Sequence, residues 1–400
     1  MESGNDEEYA SLPEFHRFVI PDGCLWKDLR ETTSNVGTKI QYCFREIEKE
    51  NQNLFGIFGD TQWSNKDKLS DALLIDLLEH FSQYSLGNQN VPADMLGDAY
   101  EYLIKQFADQ TNKKAGEFYT PRSVVSLMAE ILNPKEGDRV YDPACGTGGM
   151  LLEAIHHVEQ AGKDKRTVKL FGQERNLTTE SIARMNMFLH DIEDFKIVRG
   201  DTLRDPAFFD GDELAVFNCV VANPPFSLKK WGSKKWEADP FGRNKYGTPT
   251  DSNGDFAWIQ HMIASMDPIT GRMAVVLPHG VLFRKGIEGK IREAILKDDL
   301  LEAVIGLGAN IFYGTSLAAC LLIFKKQKSK DRLGKVLFID ASDQVREGRA
   351  QNYLEKEHVK QIFEWYSKFE DVDNYVHVAD KVELKENDYN LNIPLYIEKE

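Results

Sequence analysis

Four consecutive residues, Asn223-Pro224-Pro225-Phe226, carry the most telling chemistry in the sequence. They follow the apolar run Phe217-Asn218-Cys219-Val220-Val221-Ala222, which reads as a buried parallel strand that two prolines end sharply. The result is an amide side chain, a carbonyl with no neighbouring N–H and an aromatic ring at the strand's carboxyl end. In open α/β sheets that edge is where ligands sit. Such a group suits methyl transfer to an exocyclic amine on a planar base, whose nitrogen lone pair is delocalised into its ring. The Asn223 side-chain oxygen and the Pro224 carbonyl can accept the two N–H groups and stabilise the positive charge that develops on nitrogen. Phe226 can stack on a base flipped out of a duplex. Taken alone, the four residues fit a strand-to-loop turn with a packed phenylalanine equally well.

A second constellation, Asp142-Pro143-Ala144-Cys145-Gly146-Thr147-Gly148-Gly149-Met150, follows a short strand and opens a helix. Gly146, Gly148 and Gly149 let the backbone turn tightly and approach a ligand closely. Dinucleotide-binding loops use a related arrangement for pyrophosphate, but here the third glycine of that fingerprint falls at Leu151. Asp142 also precedes the loop. An acid there repels pyrophosphate and suits a zwitterionic amino acid, so S-adenosylmethionine fits better than NAD. Two further strands end in acids. Glu174, in Gly172-Gln173-Glu174, can accept both ribose hydroxyls; Asp201, in Gly200-Asp201-Thr202-Leu203, is placed for an adenine amine. Any one acid reads equally as a loop residue. Four successive strands ending in ligand-capable residues on one edge argue for a site.

The elements that position these residues begin at Arg139, where strands and helices alternate. The pattern predicts strands over Arg139–Asp142, Lys169–Glu174, Lys196–Gly200, Phe217–Ala222, Met273–Leu277 and Leu301–Ile305. Between them it predicts helices over Gly149–Gln160, Thr179–His190, Phe256–Met266 and Gly286–Leu296. This is an α/β, Rossmann-like domain with a mostly parallel sheet covered on both faces. Leu317–Phe324 and Lys335–Ile339 have no long helix between them, which predicts an antiparallel edge pair. Leu354–Phe369 reads as a charged amphipathic helix and Asn387–Tyr396 as an extended tail.

Upstream, Val36–Glu50, Asp71–Tyr84 and Met95–Ile104 carry apolar residues at helical spacing and no catalytic constellation. They read as a helical docking domain. Polar Asp109–Lys114 is a linker. In Gly116-Glu117-Phe118-Tyr119-Thr120-Pro121, Thr120 is a good N-cap and Pro121 suits the first helical position. A structural and a ligand role are both open for that hexapeptide. The expected division is a helical N-terminal domain over residues 1–112, a methyltransferase domain over 113–345, and a C-terminal helix and tail over 346–400.

The formal net charge of −15 opposes general binding to phosphates. A nucleic-acid substrate therefore needs a local basic patch or a partner. One basic and aromatic stretch runs from Ser227 through Trp231 and Trp236 to Arg243-Asn244-Lys245-Tyr246. It reads either as a solvated mobile loop or as a contact for phosphates and a displaced base. No apolar run approaches the ~20 residues that cross a membrane, and the acidic start is unlike a signal peptide. Five scattered cysteines without metal spacing fit a reducing cytoplasm.

Together these residues resemble the modification subunit of type I restriction-modification systems, an N6-adenine DNA methyltransferase family. The resemblance runs from about Phe18 to the tail. It covers Asn35-Val36-Gly37 through Gly56-Ile57-Phe58-Gly59-Asp60, the block Ala115–Arg122, the loop Asp142–Met150, Asn223–Phe226, and Asp388-Tyr389-Asn390-Leu391-Asn392-Ile393-Pro394. It implies an S-adenosylmethionine site made by Glu117, Phe118, Tyr119, Thr120, Pro121, Arg122, Asp142, Gly146, Thr147, Gly148, Gly149, Glu174 and Asp201. It assigns the target base to Asn223, Pro224, Pro225 and Phe226. It also implies double-stranded DNA with a flipped adenine as substrate. Site choice would come from a specificity subunit shared by two modification subunits, and restriction from a motor-nuclease subunit. The family has another helical segment before the equivalent of Phe18, and the sequence departs from the pattern there. Methylation of cytosine N4 or of protein glutamine, and an idle assembly subunit, are the competing expectations.

Overall fold

The computed structural model describes residues 16–87, 90–110, 120–312, 317–349 and 351–399. Two compact units make up the chain: Met1–Tyr102 with Arg184–Asp191, and Leu103–Ala183 with Ile192–Glu400.

The first unit is helical. In the helix Val36–Glu50, Val36, Ile40, Cys43 and Ile47 are buried at the spacing of one helical face. Most of that face packs with Leu74 and Leu78 of the helix Asp71–Ser82 and with Cys24 and Leu29. Two caps fix the pair. Ser70 accepts the Leu73 N–H at 3.2 Å, and the Asp71 carboxylate accepts the N–H groups of Asn35 and Val36 at 3.0 and 2.9 Å. Asp71 thus caps the neighbouring helix, whose own Asn35 makes no side-chain cap. The outer face of Asp71–Ser82 is different. Leu73, Leu77, Phe81 and, just past its end, Tyr84 are all exposed and share one helical stripe.

The second unit is built on one nine-stranded sheet in the order β11-β10-β8-β9-β7-β6-β1-β2-β3. The strands are β1 (Arg139–Asp142), β2 (Lys169–Glu174), β3 (Phe195–Arg199), β6 (Cys219–Ala222), β7 (Arg272–Pro278), β8 (Leu301–Leu307), β9 (Ala319–Lys325), β10 (Lys335–Ala341) and β11 (Val376–Asp380). A separate small hairpin joins β4 (Phe209–Asp210) to β5 (Glu213–Leu214). From β3 to β7 all neighbours are parallel. Tyr141 pairs with Val220, Asp142 with Gly172 and Glu174 with Arg199, so the carboxyl ends of β6, β1, β2 and β3 form one edge. The main core fills between these strands and the helix Asp255–Ala264, with Phe256, Ile259, Met262 and Ile263 facing Val220, Met273 and Val275.

The antiparallel edge is β11 on β10. β9 and β10 do not pair with each other as the sequence suggested. β9 is inserted between β7 and β8, antiparallel to both. Its first six residues, Ala319 to Phe324, are all buried, as an interior strand with both faces covered requires. The segment after the helix Lys356–Lys368 is also more structured than a plain tail. It holds β11, the helix Lys381–Glu386 and a 3₁₀ turn at Ile393–Leu395. Leu391, Ile393 and Tyr396 join the core there, Tyr396 stacking on Phe338 with ring centroids 3.8 Å apart.

Candidate active site

Strands β1 to β3 step across the sheet in one direction, whereas β6 and β7 lie on the other side of β1. The order therefore reverses between β1 and β6, and such a switch point opens a crevice at the carboxyl ends. The sequence delivers Asn223 after β6, the glycine loop after β1, Glu174 at the end of β2 and Asp201 just beyond β3. With strands about 4.8 Å apart, that row extends over roughly 14 Å.

Within the loop, Gly146 and Gly148 have φ of +53° and +83°, left-handed conformations that glycine adopts without strain. The Cys145 N–H donates to the Gln173 carbonyl at 3.0 Å and the Gly148 N–H to the Cys145 carbonyl at 2.8 Å. Glu174 is aimed by its neighbours: Oε2 accepts the Gly146 N–H at 3.1 Å and Oε1 the Asn176 N–H at 2.7 Å. Gly149 begins the helix Gly149–Gln160, and a Cβ built there meets nothing within 4 Å. Open space thus lies beside the helix N-terminus. Thr147 is buried in the same loop.

Asp142 is buried, and its Oδ1 accepts the Ala144 N–H at 3.0 Å. Burial pushes its carboxyl up to about 8; the Ala144 N–H pulls it down and the charge of Glu174 pushes it further up. A carboxyl in that state is matched to an incoming cation, which restores its ionised form. The ammonium of an amino acid is such a cation. Asp201 is held differently: Oδ1 accepts the Arg204 N–H at 3.3 Å and Oδ2 lies 3.5 Å from Arg204 Nε.

At the end of β6, Asn223 Nδ2 donates to Thr120 Oγ1 at 3.0 Å. Thr120 is not the N-cap that its residue type suggested. Pro121 occupies that position for the helix Arg122–Leu132, and the Thr120 hydroxyl serves the Asn223 amide instead. With its donor half engaged, the amide presents Oδ1 as an acceptor. Pro224 is buried and Pro225 exposed. Phe226 is half-buried and meets Phe312 edge-on, 6.4 Å between centroids at 65°. The next residue, Ser227, turns the chain at φ +51° and donates its N–H to Asp255 Oδ1 at 2.8 Å. Asp255 Oδ2 is bound in turn by Arg284 at 2.6 Å, and Arg284 pairs with Glu288.

The structure brings Thr120, Asn223 and the three strand-end acids to one edge. Arg122 opens the helix that follows Thr120. Glu117, Phe118 and Tyr119 lie outside the described residues. The basic-aromatic stretch is neither a loose loop nor an aromatic platform. Trp231 and Trp236 are buried, 5.4 Å apart and edge-to-face, in a cluster with Leu203 and Trp258. Large apolar indoles gain more from that burial than from solvent exposure. Arg243 is buried with them, and Lys245 pairs with Asp298. Lys229, Lys230, Lys234 and Lys235 remain on the outside.

Sequence reading missed the group that holds this stretch in place. In the helix Asp255–Ala264 every residue from Asp255 to Ile263 is buried, including Asp255, Gln260 and His261. Gln260 accepts the Tyr246 N–H at 3.1 Å and donates to the Gly247 carbonyl at 2.9 Å. Polar residues in a helix that is apolar all round were the available signal, since buried polar groups need partners.

Sheet order, glycine loop and the row of strand-end acids define an α/β methyltransferase. The chain belongs to the N-6 DNA methylase family, whose profile matches residues 91–400, and the HsdM N-terminal domain profile matches residues 2–81. Within it the chain groups with methylase subunits of type I restriction enzymes. It is 33% identical to the HindI methylase subunit of Haemophilus influenzae, over 94% of this chain and 89% of that protein. It is 34% identical to the MjaVII methylase subunit of Methanocaldococcus jannaschii over 98% of this chain, and spans 66% of that protein's length. A crystal structure of a type I restriction-modification methyltransferase subunit from Streptococcus thermophilus superposes with a TM-score of 0.87 at 35% identity, covering 97% of this chain and 83% of that one. No helix among the described residues is long and apolar enough to cross a membrane.

Proposed function

We propose that this chain is the modification subunit of a type I restriction-modification system, methylating N6 of an adenine flipped out of double-stranded DNA. The observation that carries the reading is Asn223, its amide donor tied to Thr120, at the end of the strand that pairs in parallel with the one leading into the glycine loop. When bound, S-adenosylmethionine supplies a methyl group on a sulfonium, an electrophile that needs no acid catalyst. The chain's residues do the rest. Asp142 ionises to hold the amino-acid ammonium, Glu174 accepts from the ribose hydroxyls and Asp201 from the adenine amine, with Thr147 to Gly149 lining the loop. The family resemblance assigns the block Glu117–Arg122 to the same cofactor. Asn223 Oδ1 and the Pro224 carbonyl accept the two N6–H groups and stabilise the charge that develops on that nitrogen. Phe226 stacks on the extruded base.

Lys229, Lys230, Lys234 and Lys235 provide a local phosphate contact in a chain whose net charge of −15 opposes DNA. Site choice comes from a specificity subunit shared by two such chains, with a motor-nuclease subunit added for restriction. The exposed stripe Leu73, Leu77, Phe81 and Tyr84 on the helical unit suits docking to that partner. DNA binding and methylation by the purified chain, with and without the specificity subunit, test the proposal. Sequence-specific methylation is expected only with the partner; tight, site-specific modification by the chain alone overturns that division of labour.

A further inference from the structure

Arg243 lies in the segment between Phe226 and the helix Asp255–Ala264, and it is 3% exposed. Its Nε and Nη2 donate to Asp239 Oδ1 at 3.0 and 2.7 Å, and its guanidinium lies 4.5 Å from the centre of the Trp236 ring. The remaining donors leave this segment. Nη1 reaches the Thr202 carbonyl at 3.0 Å and Nη2 the Leu203 carbonyl at 3.2 Å. Nη1 also contacts His261 Nδ1 at 3.3 Å. A guanidinium has no acceptor, so Nδ1 takes its hydrogen and His261 Nε2 carries the ring proton. That nitrogen donates to the Tyr141 hydroxyl at 3.0 Å. Thr202 Oγ1, for its part, donates to the Pro143 carbonyl at 2.6 Å. Arg243 is thereby tied to the turn that carries Asp201, and through His261 and Thr202 to the residues on either side of Asp142.

We propose that Arg243 is a positioning residue for the cofactor edge, setting the Asp201–Leu203 turn and the start of the glycine loop from within the segment that follows the target motif. The inference rests on the function proposed above. A planar fork satisfies two carbonyls and a carboxylate at once, whereas a lysine ammonium in the same place cannot span them.

The test uses the full chain and S-adenosylhomocysteine as the calorimetric probe. It compares wild type with Arg243→Lys, Thr202→Val and Thr202→Ser, and follows apo unfolding in parallel. Arg243→Lys is expected to weaken binding about tenfold or more, and Thr202→Val several-fold, on the scale of losing buried hydrogen bonds. Thr202→Ser keeps the hydroxyl and is expected to bind like wild type. In methylation assays with the specificity subunit, KM for S-adenosylmethionine is expected to rise while kcat at saturation holds. Unfolding at a lower midpoint with unchanged probe affinity in both Arg243→Lys and Thr202→Val means a merely structural role and overturns the proposal. If Arg243→Lys does not fold, Thr202→Val against Thr202→Ser decides it. A wild type that binds no probe defeats the underlying function instead.

Discussion

Asp142→Asn separates the two effects of the most deeply buried of the strand-end acids. The folded protein holds this carboxyl up at about 8, against an ordinary value of 3.8. Unfolded, the group releases its proton near pH 4; folded, it keeps the proton until about pH 8. Ionisation therefore favours the unfolded chain across that window. The stability it allows is fully present below about pH 4, falls as pH rises, and is lost above about pH 8. Some four decades of pH at 1.36 kcal/mol each set a ceiling of about 5 kcal/mol. Relaxation of the loop brings the realised cost to about 1–3 kcal/mol, the range for buried polar groups in proteins. Asparagine keeps the oxygen that accepts the Ala144 N–H and cannot ionise. The apo variant should match wild type below about pH 4 and exceed it by about 1–3 kcal/mol above pH 8. Urea unfolding at several pH values reads this difference.

Cofactor binding should move the other way. Without a carboxylate for the ammonium, Asp142→Asn should lose roughly a hundredfold in affinity for S-adenosylmethionine, the scale of a charge-assisted bond removed from a buried site. In wild type, binding near pH 7 should release close to one proton as Asp142 ionises. Calorimetry in buffers of different ionisation enthalpy measures that release. An Asp142→Asn chain that binds as tightly as wild type, with no gain in apo stability at alkaline pH, would refute the reasoning.

Gly149→Leu tests the open space beside the loop: a Cβ there meets nothing within 4 Å, so the apo fold should persist while S-adenosylmethionine binding is lost in calorimetry. Asn223→Ala should leave cofactor affinity unchanged and cut turnover roughly 10²-fold or more, read as single-turnover methylation. Phe226→Ala should weaken capture of the extruded base by about 1–3 kcal/mol, measured with a fluorescent base analogue at the target position. Leu77→Asp with Phe81→Asp should abolish association with the specificity subunit in sedimentation experiments and leave cofactor binding intact, because both side chains are exposed.

Much of the candidate site was legible because its residues sit where strands stop. Asp142, Glu174 and Asn223 each follow a short apolar run, and period and punctuation alone put them at strand ends. The helix Gly149–Gln160 could be read to the residue from its glycine start. What sequence could not give was the partner of each polar group. Thr120 before a proline has the local signature of a cap, and only the fold brings Asn223 within reach of its hydroxyl. Lys229 to Tyr246 looks like a DNA-facing loop because tryptophan, lysine and arginine alternate there. Trp231, Trp236 and Arg243 are instead interior, for contacts supplied by Leu203, Trp258 and Thr202 from distant segments. β9 misled for a related reason: hairpin proximity suggested an edge, while its unbroken apolar run Cys320 to Phe324 already implied two covered faces. β11, with charge and histidine in Val376-His377-Val378-Ala379-Asp380, has no such run and is defined by its pairing with β10.

The central claim is that Asn223 and its neighbours place a methyl group on N6 of a DNA adenine. It is tested most directly by incubating the chain and its specificity subunit with methyl-labelled S-adenosylmethionine and duplex DNA, then digesting the DNA to nucleosides and separating them. The label is expected in N6-methyl-2′-deoxyadenosine, at a rate that Asn223→Ala lowers by about two orders of magnitude. Label in N4-methyl-2′-deoxycytidine, in protein alone, or in N6-methyl-2′-deoxyadenosine at an undiminished rate with Asn223→Ala would contradict it.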